Sequence, residues 1–460
     1  MKESPITNIS MKYAKNSITN QDRKLIKRLQ KRAGSNDEYW SFKDDSVRNN
    51  GHGIGPYPAM IVPKLVGALL EDVKIVSPQI CVVGDPFVGS GTTLIESILH
   101  GFEFWGNDIN PFAILLCKVK SNQYNIEDLN AKAELLFERI TLDTSESIEV
   151  QFKGINKWFR QDVQISLSKI RRSIIIEPEL EIRRFMWVAL AETVKFTCNS
   201  RTSTYKLHIR EKETIDNRQI DPIRRFKDCI ERYIYQAKEQ FELLSSKNYL
   251  NNEGKYKHNI HLSLGDSRDI KFDIDSKCDL IITSPPYGDN NTTVPYGQFS
   301  YLPLQWIDFD DIVTGLDKHI LDTTCGIDRQ SLGGVKKVSN EDICNMCEKS
   351  STLLEHLALL KSDASVPKDS LKRVVSFVRD LNTSILPVLN MLKPGGLSIW
   401  ILGNRKVGKK LVPLDRILID LLSKHDNYLL YVCDRSIHLK RHHFSDSLKK
   451  EKVLIFRKEA

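Results

Sequence analysis

A glycine-bearing turn at residues 85–93 has the spacing of a ligand-binding loop. The segment Asp85-Pro-Phe-Val-Gly-Ser-Gly-Thr-Thr93 separates a short apolar run from a stretch with helical apolar spacing. Glycine at 89 and 91 lets the backbone approach a ligand that any Cβ would block. No Lys follows the second glycine and position 94 is Leu, so neither the phosphate-binding P-loop nor the dinucleotide fingerprint is matched. Taken alone, the motif is compatible with either a nucleoside site or a plain tight turn.

Two acidic residues extend this site. Asp108, in WGNDINP, follows the turn by about 20 residues, where an acidic side chain accepts hydrogen bonds from both hydroxyls of a ribose. A ribose site without a phosphate cradle predicts an adenosine that lacks phosphates, and S-adenosylmethionine is such a ligand. Asp266, in Gly265-Asp-Ser267, closes a later strand. We expect it to accept from the adenine amine, with a simple strand-end turn as the alternative.

A second motif, Thr283-Ser284-Pro285-Pro286-Tyr287, ends the apolar strand CDLIIT. Ligands of open α/β sheets bind at this end of a strand. The paired prolines stiffen the loop and remove two N–H donors, and Tyr287 offers a ring on which a base can stack for about 1 to 3 kcal/mol. If the Ser284 hydroxyl and the Pro285 carbonyl accept the two hydrogens of an exocyclic amine, its lone pair is directed at a sulfonium methyl.

Covalent catalysis through cysteine is not indicated. None of the nine Cys follows a Pro, so the Pro-Cys nucleophile expected for methylation of cytosine at carbon 5 is absent. The Cys are scattered and odd in number, which argues against a disulfide framework. Cys344 and Cys347 lie in a predicted helix that Ser339 caps, with no second pair at zinc spacing. We therefore expect structural thiols and no metal.

The elements that position these motifs form an interrupted α/β pattern. ICVVGD and FEFWGND are predicted strands around the helix TTLIESILH, and a further helix begins after Pro63. This unit opens a doubly wound α/β domain. After Lys120 only helical spacing is seen for about 135 residues. The strands HNIHLSLGD and CDLIIT follow, and after a break a long helix ends at LKPGG before the strands LSIWILGN, NYLLYVCD and KVLIFRK.

The composition is that of a globular protein. The 460 residues are 41% hydrophobic and 27% charged, with a net charge of +8 and a pI of 8.8. This charge fits a polyanionic partner and an ordinary protein equally well. No apolar run approaches the roughly 18 residues of a membrane helix, and the basic N-terminus has no apolar core of a signal peptide. We expect a cytoplasmic protein with no membrane partner.

With DPFVGSGTT, NDINP, GDS and TSPPY together, the chain resembles the DNA amino-methyltransferases, which methylate cytosine N4 or adenine N6 in restriction-modification systems. GPYPAMIVP, LKPGG and ILGN also look like segments of that family. The resemblance implies a Rossmann-like α/β core, S-adenosylmethionine as cofactor, double-stranded DNA as substrate and a cognate restriction endonuclease as a further partner. It implies a base site at Ser284, Pro285, Pro286 and Tyr287. The implied cofactor contacts are Tyr57, Pro58, Asp85, Pro86, Phe87, Gly89, Gly91, Thr92, Asp108, Ile109, Asp266, Ser267 and Thr283.

These patterns divide the chain into four parts. We predict a basic N-terminal arm at 1–50, the cofactor half of the methyltransferase core at 51–120, a helical insertion at 121–256, and the catalytic half at 257–460 with a target-recognition insertion at 289–365. Either insertion could read DNA. Within the first, Arg201, Lys206 and Arg210 alternate with hydroxyl residues suited to phosphate; a solvated loop is the equal alternative. A Lys440–His443 cluster could also clamp phosphate, although a surface charge run is favoured.

The acceptor base follows from family usage. In the resembled family, Ser at the head of the Pro-Pro-aromatic tetrad is associated with N4-cytosine enzymes, and Asp or Asn with adenine enzymes. Ser284 therefore favours cytosine. Three alternatives stay open: an N6-adenine DNA methyltransferase, a guanine-N2 RNA methyltransferase, and an inactive nucleic-acid-binding protein with a degenerate cofactor site.

Overall fold

The computed structural model describes residues 18–34, 36, 38–270, 277–290, 292–437 and 450–459. Within this part, seven strands form one sheet in the order β3-β2-β1-β4-β5-β9-β8, and β6 and β7 pair separately. The strands are β1 Val82–Asp85, β2 Glu103–Asp108, β3 Ile260–Leu264, β4 Cys278–Thr283, β5 Leu392–Gly403, β6 Lys406–Val407, β7 Lys410–Leu411, β8 Asn427–Ser436 and β9 Lys450–Lys458.

The sheet is parallel from β3 to β5, and β9 runs antiparallel between β5 and β8. The central strand β4 is the most apolar and buried of the parallel strands, as expected where helices cover both faces, whereas the outer strand β3 is only partly buried. The carboxyl ends of β1, β2, β3 and β4 therefore meet at one edge. This topology confirms the predicted Rossmann-like methyltransferase fold.

One predicted boundary is wrong. The segment LKPGG lies inside β5 and not before it, since Leu392 pairs with Cys278 of β4. The register then shifts before Leu280 pairs with Leu397. A bulge of this kind lets the strand absorb the two glycines without ending.

Six helices flank this sheet: α1 Asn20–Ala33, α2 Pro63–Val76, α3 Thr92–Leu99, α4 Pro111–Ser121, and later α16 Ser370–Asn390 and α17 Leu414–Leu422. The described half of the predicted N-terminal arm is not free. Leu25 and Leu29 of α1 are buried, and Asp22 forms a buried ion pair with Arg457 of β9. The apolar spacing of α1 thus docks it on the core, next to a short 3-10 helix at Tyr39–Ser41.

The region between α4 and β3 is helical, as its apolar spacing predicts. It contains α5 Ile126–Leu142, α6 Ile155–Trp158, α7 Gln161–Ile175, α8 Leu180–Thr197, α9 Lys212–Asn217 and α10 Pro222–Ser246. Trp187 of α8 is fully buried at its centre, and Phe112 and Leu115 of α4 belong to the same core. The helical insertion is thus built directly onto the helix that follows β2.

The segment 289–365 is divided between two cores. Its first half contains α11 Tyr296–Trp306, α12 Phe309–Ile312, a 3-10 turn at Lys318–Leu321 and α13 Gly326–Gln330, and its apolar side chains join the core of the helical insertion. Its second half, α14 Asn340–Lys349 and α15 Ser351–Ser362, packs with α16 and α17 instead. Among the described residues of this segment, the first half and the adjoining Ser331 and Leu332 lie next to the motifs described above.

The predicted helix over 340–360 is two helices. Ser339 caps α14 as expected, but Ser350 caps α15 by accepting from the backbone N–H of Leu353. Cys344 and Cys347 are free thiols on α14. Among the described residues, no group of three His, Cys, Asp or Glu side chains is placed to hold a metal. No helix in this part of the chain is long and apolar enough to cross a membrane.

Candidate functional site

A cleft of about 1340 Å³ opens where the carboxyl ends of β1, β2 and β4 meet. It brings together thirteen of the predicted site residues: Tyr57, Asp85, Phe87, Gly89, Thr92, Asp108, Ile109, Asp266, Ser267, Ser284, Pro285, Pro286 and Tyr287. Four others are buried behind its wall: Pro58, Pro86, Gly91 and Thr283. The two motifs, almost two hundred residues apart in sequence, therefore share one cavity.

The two glycines of the turn serve different purposes. Both have positive φ, 51° at Gly89 and 79° at Gly91. Gly89 lines the cleft, and a Cβ there would point towards the Tyr57 ring at 3.5 Å. Gly91 starts α3, and a Cβ there would press on Cys117 Sγ at 3.1 Å. Gly89 thus keeps the cleft open, whereas Gly91 permits close helix packing.

A buried lysine supports the turn from below. Lys120 of α4 donates to the Ser90 carbonyl at 2.8 Å. Burial lowers the pKa of its ammonium group to about 8. No sequence motif marks this residue, which is one of two Lys residues in a largely apolar helix.

Asp108 is held by the backbone on both carboxylate oxygens. Oδ2 accepts from the N–H of Gly89 at 2.9 Å, and Oδ1 accepts from the N–H of Asn110 at 2.9 Å. Burial raises the pKa of the carboxyl group to about 6. Asp108 also lines the cleft, and a carboxylate has about four acceptor positions, so it can accept from ribose hydroxyls as well as from the backbone.

Asp85 connects the two motifs. Its Oδ1 accepts from the Thr283 hydroxyl at 2.7 Å and from the N–H of Phe87 at 3.1 Å. Burial raises the pKa of this carboxyl group to about 7. The end of β1 is therefore tied to the end of β4 one residue before Ser284. Thr283 acts from behind the wall, as a support for Asp85.

Asp266 and Ser267 form a third side of the cleft. Asp266 lies at the cleft and pairs with Arg268 at 2.5 Å. The Ser267 hydroxyl donates to the Pro86 carbonyl at 2.6 Å. Pro86 thus joins the glycine turn to the loop after β3 through its carbonyl oxygen, and it does not face the cleft itself.

Tyr57 forms an aromatic wall with a residue that the sequence motifs do not mark. Its ring is stacked on Tyr296 of α11 at 5.6 Å and lies 6.2 Å from Phe299. Pro58 is buried beside it. Asn110 donates to the Tyr57 hydroxyl at 3.4 Å and to the Ser300 hydroxyl at 2.8 Å. The cofactor side and α11 are therefore joined across the cleft.

A chain of hydrogen bonds leads away from the base site. The Ser284 hydroxyl donates to Tyr287 Oη at 3.2 Å, and the Tyr287 hydroxyl donates to Glu451 Oε1 at 2.8 Å. Arg435 Nη1 donates to the other oxygen of Glu451 at 2.8 Å. Burial, followed by the Glu451 charge, raises the pKa of the Tyr287 phenol well above its ordinary value. The phenol therefore remains protonated at any working pH.

Arg405 closes the opposite side of this loop. Its Nη2 donates to Thr292 Oγ1 at 2.8 Å and to Asp289 Oδ2 at 3.2 Å. It packs over Gly288, where a Cβ would come within 2.5 Å of Arg405 Cδ. Among the cleft residues, Tyr296, Arg405 and Glu451 lie outside the sequence motifs. Ser90, Thr93 and Asn110 lie within the motifs but were not predicted as site residues.

These residues fit an adenosine-bearing sulfonium cofactor. The absence of a side chain at Gly89 leaves room beside Tyr57, and Asp108 presents two acceptor oxygens at the same point. Asp266 adds a third carboxylate at the wall. A hydroxyl-rich sulfonium ligand without phosphates matches these carboxylates and the Tyr57 ring, although the lining of the whole cleft also includes five Lys and Arg side chains.

The chain is similar to a known methyltransferase along most of its length. It is 30% identical over 445 residues to the type II methyltransferase M.MvaI of Kocuria varians, a match that covers 92% of both chains. It is 40% identical over 78 residues to the type II methyltransferase M.MjaII of Methanocaldococcus jannaschii, which covers 17% of this chain and 14% of that one.

Other comparisons are less informative. No protein-family model matches the chain. The solved structure of the rRNA methyltransferase aviRa from Streptomyces viridochromogenes aligns with 87% of this chain and 86% of its own, at 10% identity and a TM-score of 0.25. That similarity is too low to bear on the fold, which the strand order establishes. The match to M.MvaI over nearly the whole chain places this protein in the type II methyltransferase family, the DNA methyltransferases of restriction-modification type, with S-adenosylmethionine as its methyl donor.

Proposed function

We propose that the protein methylates the exocyclic amine of a base flipped out of double-stranded DNA, and that this amine is N4 of cytosine. S-adenosylmethionine supplies the electrophilic methyl group when it is bound. Enzymes that act on a base cannot reach its reacting atom inside a duplex, so the target nucleotide must leave the stack. The protein's own task is to bind, orient and polarise the acceptor amine.

The direction of the hydrogen-bond chain at the tetrad is the observation that carries this proposal. Because Tyr287 gives its only hydrogen to Glu451, its oxygen accepts the hydrogen of Ser284. The lone pairs of Ser284 Oγ are then left for the substrate. A hydroxyl oriented in this way is a hydrogen-bond acceptor, which is what an amine donor requires.

The prolines complete the acceptor set. Pro285 and Pro286 line the cleft and have no N–H, so in this proposal the Pro285 carbonyl accepts from the substrate without a competing donor on either proline. Two acceptors on one amine draw its hydrogens apart, and the nitrogen lone pair is released from the ring for attack. The proton that the amine loses can pass to Ser284 Oγ as the Ser284 hydrogen moves to Tyr287 Oη and the Tyr287 hydrogen moves to Glu451, so that Tyr287 remains a phenol. No covalent enzyme intermediate is needed.

The assignment to cytosine rests on Ser284. Family usage associates Ser at this position with N4-cytosine enzymes, whereas adenine enzymes carry Asp or Asn. We assign the cofactor contacts to Asp108, Asp266 and the Gly89 turn, all of which line the same cleft.

The experiment that tests the proposal identifies the methylated nucleoside. The purified protein is incubated with labelled S-adenosylmethionine and duplex DNA of mixed sequence, and the digested nucleosides are analysed by mass spectrometry. N4-methylcytosine supports the full proposal. N6-methyladenine would keep the orientation mechanism and overturn the assignment to cytosine. Label in RNA alone, or in no nucleic acid, would overturn the proposed reaction.

A further inference from the structure

We propose that the hairpin at residues 199–210 of the helical insertion binds a backbone phosphate of the substrate DNA at the mouth of the cleft. This inference rests on the proposed function, because it names the contact that would hold the duplex beside the base site. The evidence consists of the hairpin's geometry, a second small cavity, and an unpartnered arginine nitrogen.

The hairpin has a defined structure. Ser200 and Ile209 form an isolated antiparallel bridge. The N–H of Arg201 donates to the His208 carbonyl at 2.8 Å, and the N–H of Arg210 donates to the Asn199 carbonyl at 2.9 Å. These bonds fix the two arginines at the base of a short loop.

The loop is anchored to the wall of the main cleft. The Tyr205 ring lies 6.1 Å from the Phe299 ring of α11, and the N–H of Leu207 donates to Gln298 Oε1 at 3.3 Å. Residues 202–206 and His208 line the cleft that contains Ser284 and Tyr287. The hairpin therefore belongs to the same cavity as the base site, at an exposed edge.

A second cavity of about 230 Å³ lies on the outer side of the hairpin. It is lined by Arg201, Thr202, Ser203, Arg210, Glu211 and Thr214. Thr202 and Ser203 border both cavities. Two guanidinium groups and three hydroxyls in this small cavity form a donor-rich pocket, which is the kind of pocket that binds the oxygens of a phosphate group.

The pocket's own ionic interactions leave it open to an anion. Nε of Arg210 is buried and has no hydrogen-bond partner in the described part of the chain. The one carboxylate in its lining, Glu211, lies 3.8 Å from Arg201, and both side chains are more than half exposed. A pair this exposed is weak, because solvent screens the two charges. A phosphate can therefore replace Glu211 as the partner of Arg201 at little cost.

The base of the hairpin is held independently of these groups. Arg218 donates to the carbonyls of Cys198 and Phe196, at 2.8 Å each. It fixes the start of the hairpin through backbone contacts, so removal of the exposed Arg201 side chain should leave the loop in place.

The test compares two charge deletions of equal size. Arg201→Ala removes a pocket guanidinium, and Lys238→Ala removes an exposed charge of α10 that lines neither cavity. Duplex DNA affinity is measured by fluorescence anisotropy over a range of salt concentrations, and cofactor affinity by calorimetry. We expect Arg201→Ala to weaken DNA binding about 5- to 10-fold, equally for different sequences, and to reduce the salt slope by about 0.9, the value for one phosphate contact.

Other outcomes separate the two proposals. If Arg201→Ala and Lys238→Ala have the same affinity and salt slope while the wild type methylates DNA, the phosphate site is wrong and the proposed reaction stands. If the wild type binds DNA through Arg201 but methylates none, the phosphate site stands and the proposed reaction fails. Arg210→Lys, which keeps the charge but loses Nε, should show a loss of affinity smaller than that of Arg201→Ala. An Arg210→Lys affinity equal to that of the wild type would contradict the role of Nε.

Discussion

The cofactor wall of the cleft and the hairpin at its edge, here called the hairpin wall, differ in how their polar groups are satisfied. On the cofactor wall, Asp85 is 1% exposed, and Asp85 and Asp108 each accept at least two internal hydrogen bonds. On the outer side of the hairpin wall, Arg201 is 53% exposed, and its carboxylate partner among the described residues is 3.8 Å away. A small ligand of fixed shape is bound best by groups that are already oriented. A large polyanion can be bound by solvated groups that become ordered on contact.

This difference predicts that substitutions on the cofactor wall have large effects on one step, while substitutions on the hairpin wall have small effects on DNA affinity alone. Asp108→Ala should have the largest effect. It removes the acceptor of the Gly89 and Asn110 N–H groups and of the ribose hydroxyls. The loss of each charged hydrogen bond to the ribose costs about 1.5 to 3 kcal/mol of binding free energy. We expect cofactor affinity to fall roughly 300-fold in calorimetry. A fall of less than threefold would mean that Asp108 does not bind ribose.

Ser284→Ala should separate catalysis from binding. The variant keeps the backbone acceptor at Pro285 but loses one of the two acceptors for the amine. By comparison with the loss of one oriented group in other active sites, single-turnover methyl transfer should slow about 100-fold. Cofactor affinity should stay within twofold. Ser246→Ala, in α10, is the matched control, since its hydroxyl only caps a local carbonyl. Full activity of Ser284→Ala would remove the basis for the orientation mechanism.

Glu451→Gln tests the hydrogen-bond chain behind Ser284. The amide can still accept from Tyr287 but loses the charge that pairs with Arg435. We expect kcat to fall about 10-fold, the loss of one charged hydrogen bond, with cofactor affinity unchanged. Tyr287→Phe breaks the same chain, so the double variant should be no slower than the slower single one. Multiplicative losses would show that the two residues act separately.

The fold was largely predictable from sequence, whereas the full site was not. The strands ending at Asp85, Asp108 and Thr283 were predicted because parallel strands buried on both faces have continuous apolar runs. Each strand end then indicated a ligand contact. The contacts from Glu451 and Arg405 were not predictable, because they reach the tetrad from residues more than a hundred positions later. Only the folded sheet brings β9 and the loop after β5 to Tyr287.

The position of local elements was harder to predict for a related reason. The docked helix α1 depends on a buried ion pair between Asp22 and Arg457, more than four hundred residues apart. The division of 289–365 between two cores depends on which face of the sheet each helix covers. Apolar spacing predicts that a helix is amphipathic, but it does not say which surface covers its apolar side. The Lys440–His443 cluster lies outside the described residues.

Cofactor binding should also depend on pH through the cofactor wall, with a smaller change in affinity than the substitutions above cause. Burial raises the pKa of Asp108 to about 6, and the ionised form is the better acceptor for ribose hydroxyls. Cofactor affinity should therefore be highest above this pKa and decrease as the carboxyl is protonated. The expected decrease is about fourfold between roughly pH 7.5 and 5.5. Calorimetry at a series of pH values measures this. Asp108→Asn should give a flatter profile, and equal slopes in both proteins would assign the titration to another group.

The smallest effect expected on the cofactor wall concerns stability. Burial raises the pKa of Asp85 from 3.8 to about 7. Between these two pH values the folded protein binds more protons than the unfolded chain. The contribution of Asp85 to the free energy of unfolding is therefore full below about pH 4 and is lost as the pH rises through about 7. Asp85→Asn keeps an acceptor for Thr283 and Phe87 but carries no charge. Its melting temperature should exceed that of the wild type by about 2 °C at roughly pH 8, and the difference should vanish below about pH 4. Asp228→Asn, an exposed carboxyl of α10, is the control. A wild type more stable than Asp85→Asn at high pH would show that the ionised carboxylate stabilises the junction of β1 and β4, and the two walls would then differ less than their burial indicates.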